Sequence, residues 1–253
     1  MISDPWFYAA AVPALLIAGI SKGGFGGGLG TIATPLLALT IDPRTAAAVL
    51  LPVLCLMDLM GLWAYWGKWH KINMAIMIPA SFLGILVGAL TFRYLDADAI
   101  RILIGVIAVT FTLRHWIGGI GGERAPAGPN IAKGGFWSTI AGFTSFVSHS
   151  GSPPLQVYLL PQKLPRTTYQ ATTVVFFAAV NYVKLIPYAL LGQLSVANLS
   201  TSGALLPLAV GGMLLGIWLH NRVSDRLFYV IAYVLLFIIG LKLLYDGVSG
   251  LLS

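Results

Sequence analysis

The chain has 253 residues, of which 58% are hydrophobic and only 9% are charged, whereas charged residues make up about 25% of an ordinary soluble domain. This composition excludes a soluble globular domain, a disordered chain and a nucleic-acid-binding module with a basic folded surface. One cysteine, four histidines and eight acidic residues also argue against an intrachain disulfide framework, a cysteine-rich metal site and a carboxylate-rich metal cage. No cofactor is expected. We therefore predict an all-α polytopic membrane protein whose net charge of +7 lies in loops beside the lipid bilayer.

Six apolar segments have the length of roughly 20 residues that a membrane-spanning helix needs. They cover residues 45–66, 73–92, 99–117, 168–191, 203–220 and 227–245. Two further apolar segments, 5–41 and 132–161, are longer than one span and are interrupted midway by glycine, proline, serine and a polar side chain. Because glycine runs and paired prolines break helices, each of these two segments is predicted to be a broken helix.

The two halves of the chain share residues in the same order, which indicates an internal repeat. The matched pairs, at offsets between 122 and 129, are Gly19 with Gly142, Pro43 with Pro165, Asp58 with Asn181, Gly84 with Gly212, and Arg93 with Arg222. Gly84 and Gly212 each begin a Gly-xxx-Gly pair, which we interpret as a site of close helix packing. We therefore predict a first repeat over residues 1–117, a cytoplasmic linker over 118–132 and a second repeat over 133–253.

The distribution of lysine and arginine favours inverted repeats. If each broken segment dips in and returns as a re-entrant hairpin of two half-helices, each repeat has three full crossings, and an odd number inverts the second repeat. One face then carries Lys68, Lys71, Arg114, Arg124, Lys133, Lys163, Arg166, Arg222 and Arg226, and the other carries Arg44, Arg93 and Arg101. Because basic residues concentrate on the cytoplasmic side, we predict a protein of the cell (inner) membrane with both termini outside.

Inverted repeats with discontinuous helices are typical of secondary transporters, whose substrate site lies near the middle of the membrane. Broken helix ends expose backbone N–H groups, which favour an anion. The predicted substrate-binding residues therefore come from both breaks and from the span after the second break. They are Lys22, Gly23, Gly24, Phe25, Gly26, Gly27, Gly28, Ser148, His149, Ser150, Gly151, Ser152, Gln170 and Thr173.

Lys22 is the most informative single residue. A lysine inside a bilayer costs about 2.5 to 3.5 kcal/mol unless water, a carboxylate or an anion contacts its ammonium group. Three explanations stay open. Lys22 contacts a substrate or its pathway, pairs with Asp58, or snorkels to the cytoplasmic interface.

Asp58 and Lys184 are the other charged residues well inside predicted spans, and Asn181 lies on the same helix face as Lys184. We interpret these three residues as coupling or structural groups. Asp58 is either a proton carrier or a paired residue that holds the two halves together. Proton coupling is a hypothesis, with Asp58 or His149 as the carrier.

Residues 148–152 offer hydroxyls, an imidazole and backbone N–H groups that suit a small oxyanion. The alternative is that this stretch only breaks the helix, with His149 hydrogen-bonded in a polar core. Likewise, Thr173 either lines the site or bonds its own backbone. Because adjacent residues point away from each other on a helix, a nucleophile–base pair is not expected here, and the chain is not predicted to be an enzyme.

Two stretches carry a resemblance to a known family. They are residues 21–28 (SKGGFGGG) with 35–37 (PLL), and residues 150–160 (SGSPPLQVYLL), each followed by a Pro-Arg-Thr turn. Over about residues 10–245 the chain resembles the TauE/SafE family of sulfite and organosulfonate exporters. His149 stands where a small residue is expected, so the resemblance assigns it no role.

The resemblance implies secondary transport of small sulfur-containing anions such as sulfite, thiosulfate or organosulfonates. From the inverted repeats we expect one repeat to rock against the other and expose the site alternately. It chooses neither the anion nor the direction of transport. A passive anion channel and a transporter of another small organic anion stay open as alternatives. The oligomeric state is also left open.

Overall fold

The computed structural model describes residues 2, 4–38, 40–91, 97–118, 126–220, 222 and 225–252. Every regular element in these residues is a helix. Among them, five stretches are long and apolar enough to cross a membrane: Pro5–Gly24, Arg44–Ala64, Lys71–Thr91, Arg166–Leu190 and Val196–His220. The prediction of an all-α polytopic membrane protein is confirmed.

The helices follow one another in two similar series. In chain order they are α1 (Pro5–Gly24), α2 (Ala33–Leu37), α3 (Pro43–Ala64), α4 (Lys71–Thr91), α5 (Ala97–Gly118), α6 (Ile131–Ser148), α7 (Ser152–Leu159), α8 (Arg166–Leu190), α9 (Val196–His220) and α10 (Asp225–Leu252). Short 3-10 turns, Gly28–Ile32 and Leu160–Gln162, lie beside α2 and α7. The six predicted spans correspond to α3, α4, α5, α8, α9 and α10.

Helix α9 begins seven residues before its predicted start at residue 203. Its first turns are polar, so they do not show in an apolar pattern. Their hydroxyls bond the helix's own backbone, since Thr201 Oγ1 donates to Ala197 O and Ser202 Oγ donates to Asn198 O. Such local bonds let serine and threonine continue a helix into apolar surroundings.

Aspartate–proline pairs set the starts of α1 and α3. Asp4 accepts a hydrogen bond from Trp6 N, and Asp42 accepts from Arg44 N and Thr45 N. A carboxylate at the N-cap satisfies N–H groups that have no partner within the helix, and the proline that follows needs none. These exposed aspartates are therefore explained by helix capping.

Both broken segments are interrupted where predicted, but the two arms of each are unequal. Helix α1 has 20 residues and α6 has 18, whereas α2 has five and α7 has eight. The first break comes at Gly26 and Gly27, which have φ values of 67° and 73°, and the second at His149, with φ 54°. Each broken segment therefore consists of one long and one short helical arm.

Glycines explain why α1 continues through Gly23 and Gly24 before it breaks. A Cβ on Gly19 would lie 2.8 Å from the backbone of Gly212, and one on Gly24 would collide with Gly216 O. The first glycines of the 21–28 run therefore allow α1 to pack closely on α9. Only the later ones form the break.

Two pairs of helices run parallel in close contact, and each pair takes one helix from either half. Gly19 and Gly23 of α1 meet Gly212 and Gly216 of α9. In the same way, α4 meets α6 along its length, with Gly84 against Thr139 and Gly88 against Phe146. The prediction that these Gly-xxx-Gly pairs serve close helix packing is confirmed.

Equivalent helices of the two halves run antiparallel. The contacts that show this are Asp58 with Asn181 and Gly61 with Val174 between α3 and α8, and Gly105 with Gly240 and Gly247 with Ile102 between α5 and α10. Rising residue numbers on one helix thus meet falling numbers on its equivalent.

The first broken segment returns to the end of the molecule at which it began. Ser202, in the first turns of α9, donates to Val49 O near the start of α3. At the opposite end, Tyr65 Oη, just after α3, donates to Gly23 O near the end of α1. Because α1 and α9 are parallel, α1 and α3 begin at one end, and residues 25–42 lead back to it.

The second broken segment also returns to the end of the molecule at which it began, and this is the opposite end from that of the first segment. His70 N, just before α4, donates to Thr172 Oγ1 near the start of α8, and α6 runs parallel to α4. Tyr188 Oη, near the end of α8, donates to Phe146 O near the end of α6. Helices α6 and α8 therefore begin together and end together.

Parts of the predicted topology lie outside the described residues. These parts are Arg93, Arg124 and residues 119–125 of the linker, and the side chains of Arg114 and Arg226. The repeat boundaries and the count of basic residues on each face stay predictions.

Candidate functional site

The two chain breaks touch each other in the interior. Ser152 Oγ, at the start of α7, donates to Gly27 O with an oxygen–oxygen distance of 3.0 Å. Beside this contact lies a cavity of about 40 Å³. Its polar lining comes from Lys22, Gly27, Ser145, His149, Ser152 and Asn181. Since a water needs roughly 10 to 15 Å³ by this measure, the cavity holds only a few waters or a small head group.

Lys22 lines the cavity and is also paired. Its Nζ lies 2.7 Å from an Asp58 carboxylate oxygen, and the other oxygen accepts from Asn181 Nδ2 at 2.7 Å. The ammonium also stands 5.7 Å from the centre of the Phe177 ring, which favours a cation. Of the three explanations for Lys22, the structure shows the pair with Asp58, together with a position on the cavity wall.

The Asp58–Asn181 bond joins α3 to α8 at residues that are 123 positions apart in the sequence. Both side chains are buried, and Lys22 adds α1 to the same cluster. An ammonium at one oxygen of a carboxylate and an amide donor at the other repay part of its desolvation cost. The cluster therefore connects three helices from both halves beside the cavity.

Lys184 forms a second buried cluster behind the cavity wall. Its Nζ donates to Ser145 O at 2.9 Å and Ser145 Oγ at 3.0 Å, and it lies 2.8 Å from His149 Nδ1. His149 Nε2 lies 2.9 Å from Ala47 O. Because a carbonyl oxygen only accepts, the imidazole hydrogen belongs on Nε2, which leaves Nδ1 free to accept from Lys184.

The two halves repeat their side-chain contacts as well as their helices. Tyr65 donates to Gly23 O and Tyr188 donates to Phe146 O, and both members of each bond are displaced by 123 residues. Each tyrosine thus holds the last turn of the helix before a break.

Side chains from three other helices or their ends bond the last carbonyl groups of α1. Gln170 Nε2 donates to Lys22 O at 2.5 Å, Tyr65 Oη donates to Gly23 O, and His220 Nδ1 lies 3.1 Å from Gly24 O. The last turn of α1 is therefore firmly attached to its neighbours.

The backbone N–H groups of the first break are largely occupied. Phe25 N and Gly27 N both donate to Ser21 O, and Gly26 N donates to Gln170 Oε1 at 2.6 Å. The Gln170 amide therefore bonds a carbonyl group just before the break and an N–H group within it. These three donors, which the sequence suggested for an anion, are used within the protein.

The polar groups of the second break also form many of their hydrogen bonds within the break and with the end of α6. Ser148 Oγ donates to Ser150 Oγ, and Ser150 N donates to Thr144 O. Pro153 and Pro154 in the first turn of α7 carry no N–H, so its start offers fewer donors than an ordinary helix. Ser152 is the serine of this break that lines the cavity.

Gly151 and Thr173 do not line the cavity. A Cβ on Gly151 would lie 2.7 Å from Ala141 O, so this glycine permits close packing on α6. Thr173 Oγ1 donates to Gln170 O within α8, which is the local bond expected as the alternative to lining the site.

Sequence reasoning missed three side chains around the breaks. Ser145 and Phe177 line the cavity, and Ser145 stands 123 residues after Lys22, an offset that could have identified it. Gln156 is buried, and both amide atoms of its side chain have no hydrogen-bond partner among the described residues. A Cβ on Gly28 would lie 2.7 Å from Gln156 Nε2, so Gly28 makes room for this amide.

Within the part of the chain that the structure describes, no group of three or more histidine, cysteine, aspartate or glutamate side chains could hold a metal ion.

Comparison with known proteins gives one match. The family model described as sulfite exporter TauE/SafE matches residues 11–243, which agrees with the predicted resemblance over about residues 10–245. No curated protein and no solved structure matches the chain.

Proposed function

The chain belongs to the sulfite exporter TauE/SafE family, and we propose that it carries a small sulfur-containing anion, such as sulfite, thiosulfate or an organosulfonate, through the cavity between its two breaks. The family places the chain among multi-pass membrane transporters of sulfur-containing anions rather than among enzymes. The observation that carries the proposed site is the contact of both breaks beside a cavity lined by an ammonium, an amide and a hydroxyl.

The energetic cost of burying the polar side chains that line the cavity supports a binding role for them. Lys22, His149, Ser152 and Asn181 are each at most 8% exposed, at the centre of a protein whose helices are suited to a bilayer. Irregular backbone at membrane depth is tolerated where it lines a cavity, and intramembrane charges mark substrate pathways. An anion in the cavity would accept from Lys22 and Asn181, and from Ser152 once its one hydroxyl hydrogen turns from Gly27 O towards the anion.

Side chains rather than backbone N–H groups supply the proposed donors. The N–H groups of Phe25, Gly26 and Gly27 already have partners, and two positions at the start of α7 are prolines. Directional recognition of the oxyanion therefore falls to the amide of Asn181, and to the hydroxyl of Ser152 when the anion replaces Gly27 O as its acceptor.

The small volume of the cavity favours alternating access over an open channel. Helix packing suggests which parts move together, because α1 is fixed to α9 and α4 to α6 by close glycine contacts. Each pair takes helices from both halves, so a rigid first repeat cannot rock freely against a rigid second one. We propose instead that the α1–α9 pair moves relative to the α4–α6 pair across α3 and α8.

The antiparallel course of equivalent helices supports the proposal that the two repeats are inverted in the membrane. Labelling single cysteines at positions 68, 163 and 193 in a Cys55→Ser background tests it. We expect a membrane-impermeant maleimide added to intact cells to label position 193 alone, with positions 68 and 163 labelled after the inner membrane is opened. Labelling of positions 68 and 163 on opposite sides would contradict the inverted arrangement.

Reconstituted liposomes test transport directly. The wild-type chain is expected to accumulate labelled sulfite above its external concentration when a proton or counter-anion gradient is imposed. Ser152→Ala is expected to slow uptake by about 10-fold or more, because a hydrogen bond to a charged group contributes about 1.5 to 3 kcal/mol. Ser200→Ala is the matched control, since Ser200 is exposed in the first turns of α9.

Equilibration without accumulation under every gradient would instead indicate a passive channel. Uptake equal to that of empty liposomes would contradict the proposed function. Accumulation under an imposed pH gradient, lost when the gradient is collapsed, would support the hypothesis of proton coupling.

A further inference from the structure

With Lys184 protonated, the charges of the described side chains buried around the cavity do not cancel. Lys22 is paired with Asp58, so these two residues contribute no net charge. Lys184 is fully buried, and its three contacts are with a carbonyl oxygen, a hydroxyl and the Nδ1 of a histidine. Three neutral acceptors satisfy the three N–H donors of an ammonium group, but they do not balance its charge.

The other carboxylates with described side chains have different partners. Asp4 and Asp42 cap helices, Asp98 pairs with Arg101 and Asp246 pairs with Lys242. Among the described side chains, no carboxylate therefore pairs with Lys184. His149 cannot supply the missing negative charge, because its imidazole carries a hydrogen on Nε2 and accepts through Nδ1.

The uncompensated charge lies directly behind the cavity. The two residues that hold the Lys184 ammonium, Ser145 and His149, both line the cavity. In surroundings of low dielectric constant, one unit of charge immediately behind the cavity wall acts strongly on an ion bound in the cavity. When Lys184 is protonated, the positive charge of the site therefore comes from this residue, although Lys22 lies closer to the cavity.

We infer that the cavity selects singly charged anions and that Lys184 supplies the balancing charge. This inference rests on the proposed function, since it assigns the charge of the anion that occupies the same cavity. One negative charge neutralises the excess of +1, whereas a doubly charged anion leaves one negative charge buried without a partner. A sulfonate head group or hydrogen sulfite fits this requirement, and sulfate does not.

Methanesulfonate and sulfate test the inference, because they have similar size and differ in charge. Calorimetric titration of the purified wild-type protein at constant ionic strength is expected to show at least 10-fold tighter binding of methanesulfonate. Lys184→Met is expected to weaken methanesulfonate binding by about 10- to 100-fold. Lys133→Met, which removes an exposed lysine at the start of α6, is the matched control and is expected to bind as the wild type does.

Asp58→Asn makes the opposite change. It releases Lys22 from its partner and raises the excess charge to +2, so sulfate affinity is expected to rise at least 10-fold relative to the wild type. If a variant fails to fold, the affinities of the wild-type protein for the two anions still decide whether the cavity selects singly charged anions.

Tighter binding of sulfate than of methanesulfonate by wild-type protein that transports sulfite would overturn the inference and leave the proposed function intact. Unchanged anion preference in a folded Lys184→Met or Asp58→Asn protein would also overturn it. Wild-type protein that binds neither anion and transports no sulfite would remove the proposed function, and the inference with it.

Discussion

Lys22→Ala is expected to lower the free energy of unfolding by about 3 to 5 kcal/mol, because it leaves the Asp58 carboxylate buried without its cation. Asp58 is 0% exposed, and the amide of Asn181 still donates to it in this variant. The measurement is unfolding of the purified protein by titration with a denaturing detergent, followed by circular dichroism.

The double variant Lys22→Ala with Asp58→Ala separates the charge effect from the loss of side-chain volume. Removing both partners leaves no unpaired charge, so the double variant is expected to be more stable than Lys22→Ala alone. Lys133→Ala, at an exposed position, is expected to change stability by less than about 0.5 kcal/mol. A Lys22→Ala protein as stable as the wild type would show that the ion pair contributes nothing to folding.

The membrane helices were predictable because each is an apolar run of about 20 residues. The predicted starts of α3, α4, α5, α8 and α10 lie two residues inside the observed ones. The start of α9 was not predictable from hydropathy, because its first turns are polar and are accommodated by local hydroxyl–carbonyl bonds. Length and polarity therefore located the spans, and the backbone bonds of serine and threonine determined one of the ends.

Part of the candidate site was also visible in the sequence. The repeat offset of 123 matches Asp58 with Asn181, and these two side chains are hydrogen-bonded to each other. The partners of Lys184 were not visible, because Ser145 and His149 lie on another helix and its break. No local pattern reports a contact between residues that are 35 to 39 positions apart.

The glycine run at residues 21–28 shows a further limit. Its members look alike in sequence, yet Gly23 and Gly24 pack α1 on α9, whereas Gly26 and Gly27 adopt left-handed backbone. Which glycine does which depends on the neighbouring helix and not on the run itself. The same limit applies to backbone donors, since a side chain of α8, Gln170, occupies one that the sequence left for a ligand.

Gly142→Ala is expected to destabilise the protein by at least about 1 to 3 kcal/mol, because a Cβ there would collide with Ser81 O of α4. The obstacle is backbone, so no side-chain rotation relieves it, and α4 must separate from α6. Gly135→Ala is the matched control on the same helix, since a Cβ at Gly135 meets nothing within 4 Å. This control is expected to be neutral or slightly stabilising, because alanine favours a helix over glycine.

The same pair of variants tests whether α4 and α6 move as one body. If they do, Gly142→Ala lowers sulfite uptake per folded molecule as well as thermal stability, because the altered α4–α6 pair no longer fits against α3 and α8. Gly135→Ala leaves both quantities at the wild-type level. A Gly142→Ala protein with wild-type stability would contradict the close contact itself, and one that is destabilised but transports normally would show that this contact is not part of the moving unit.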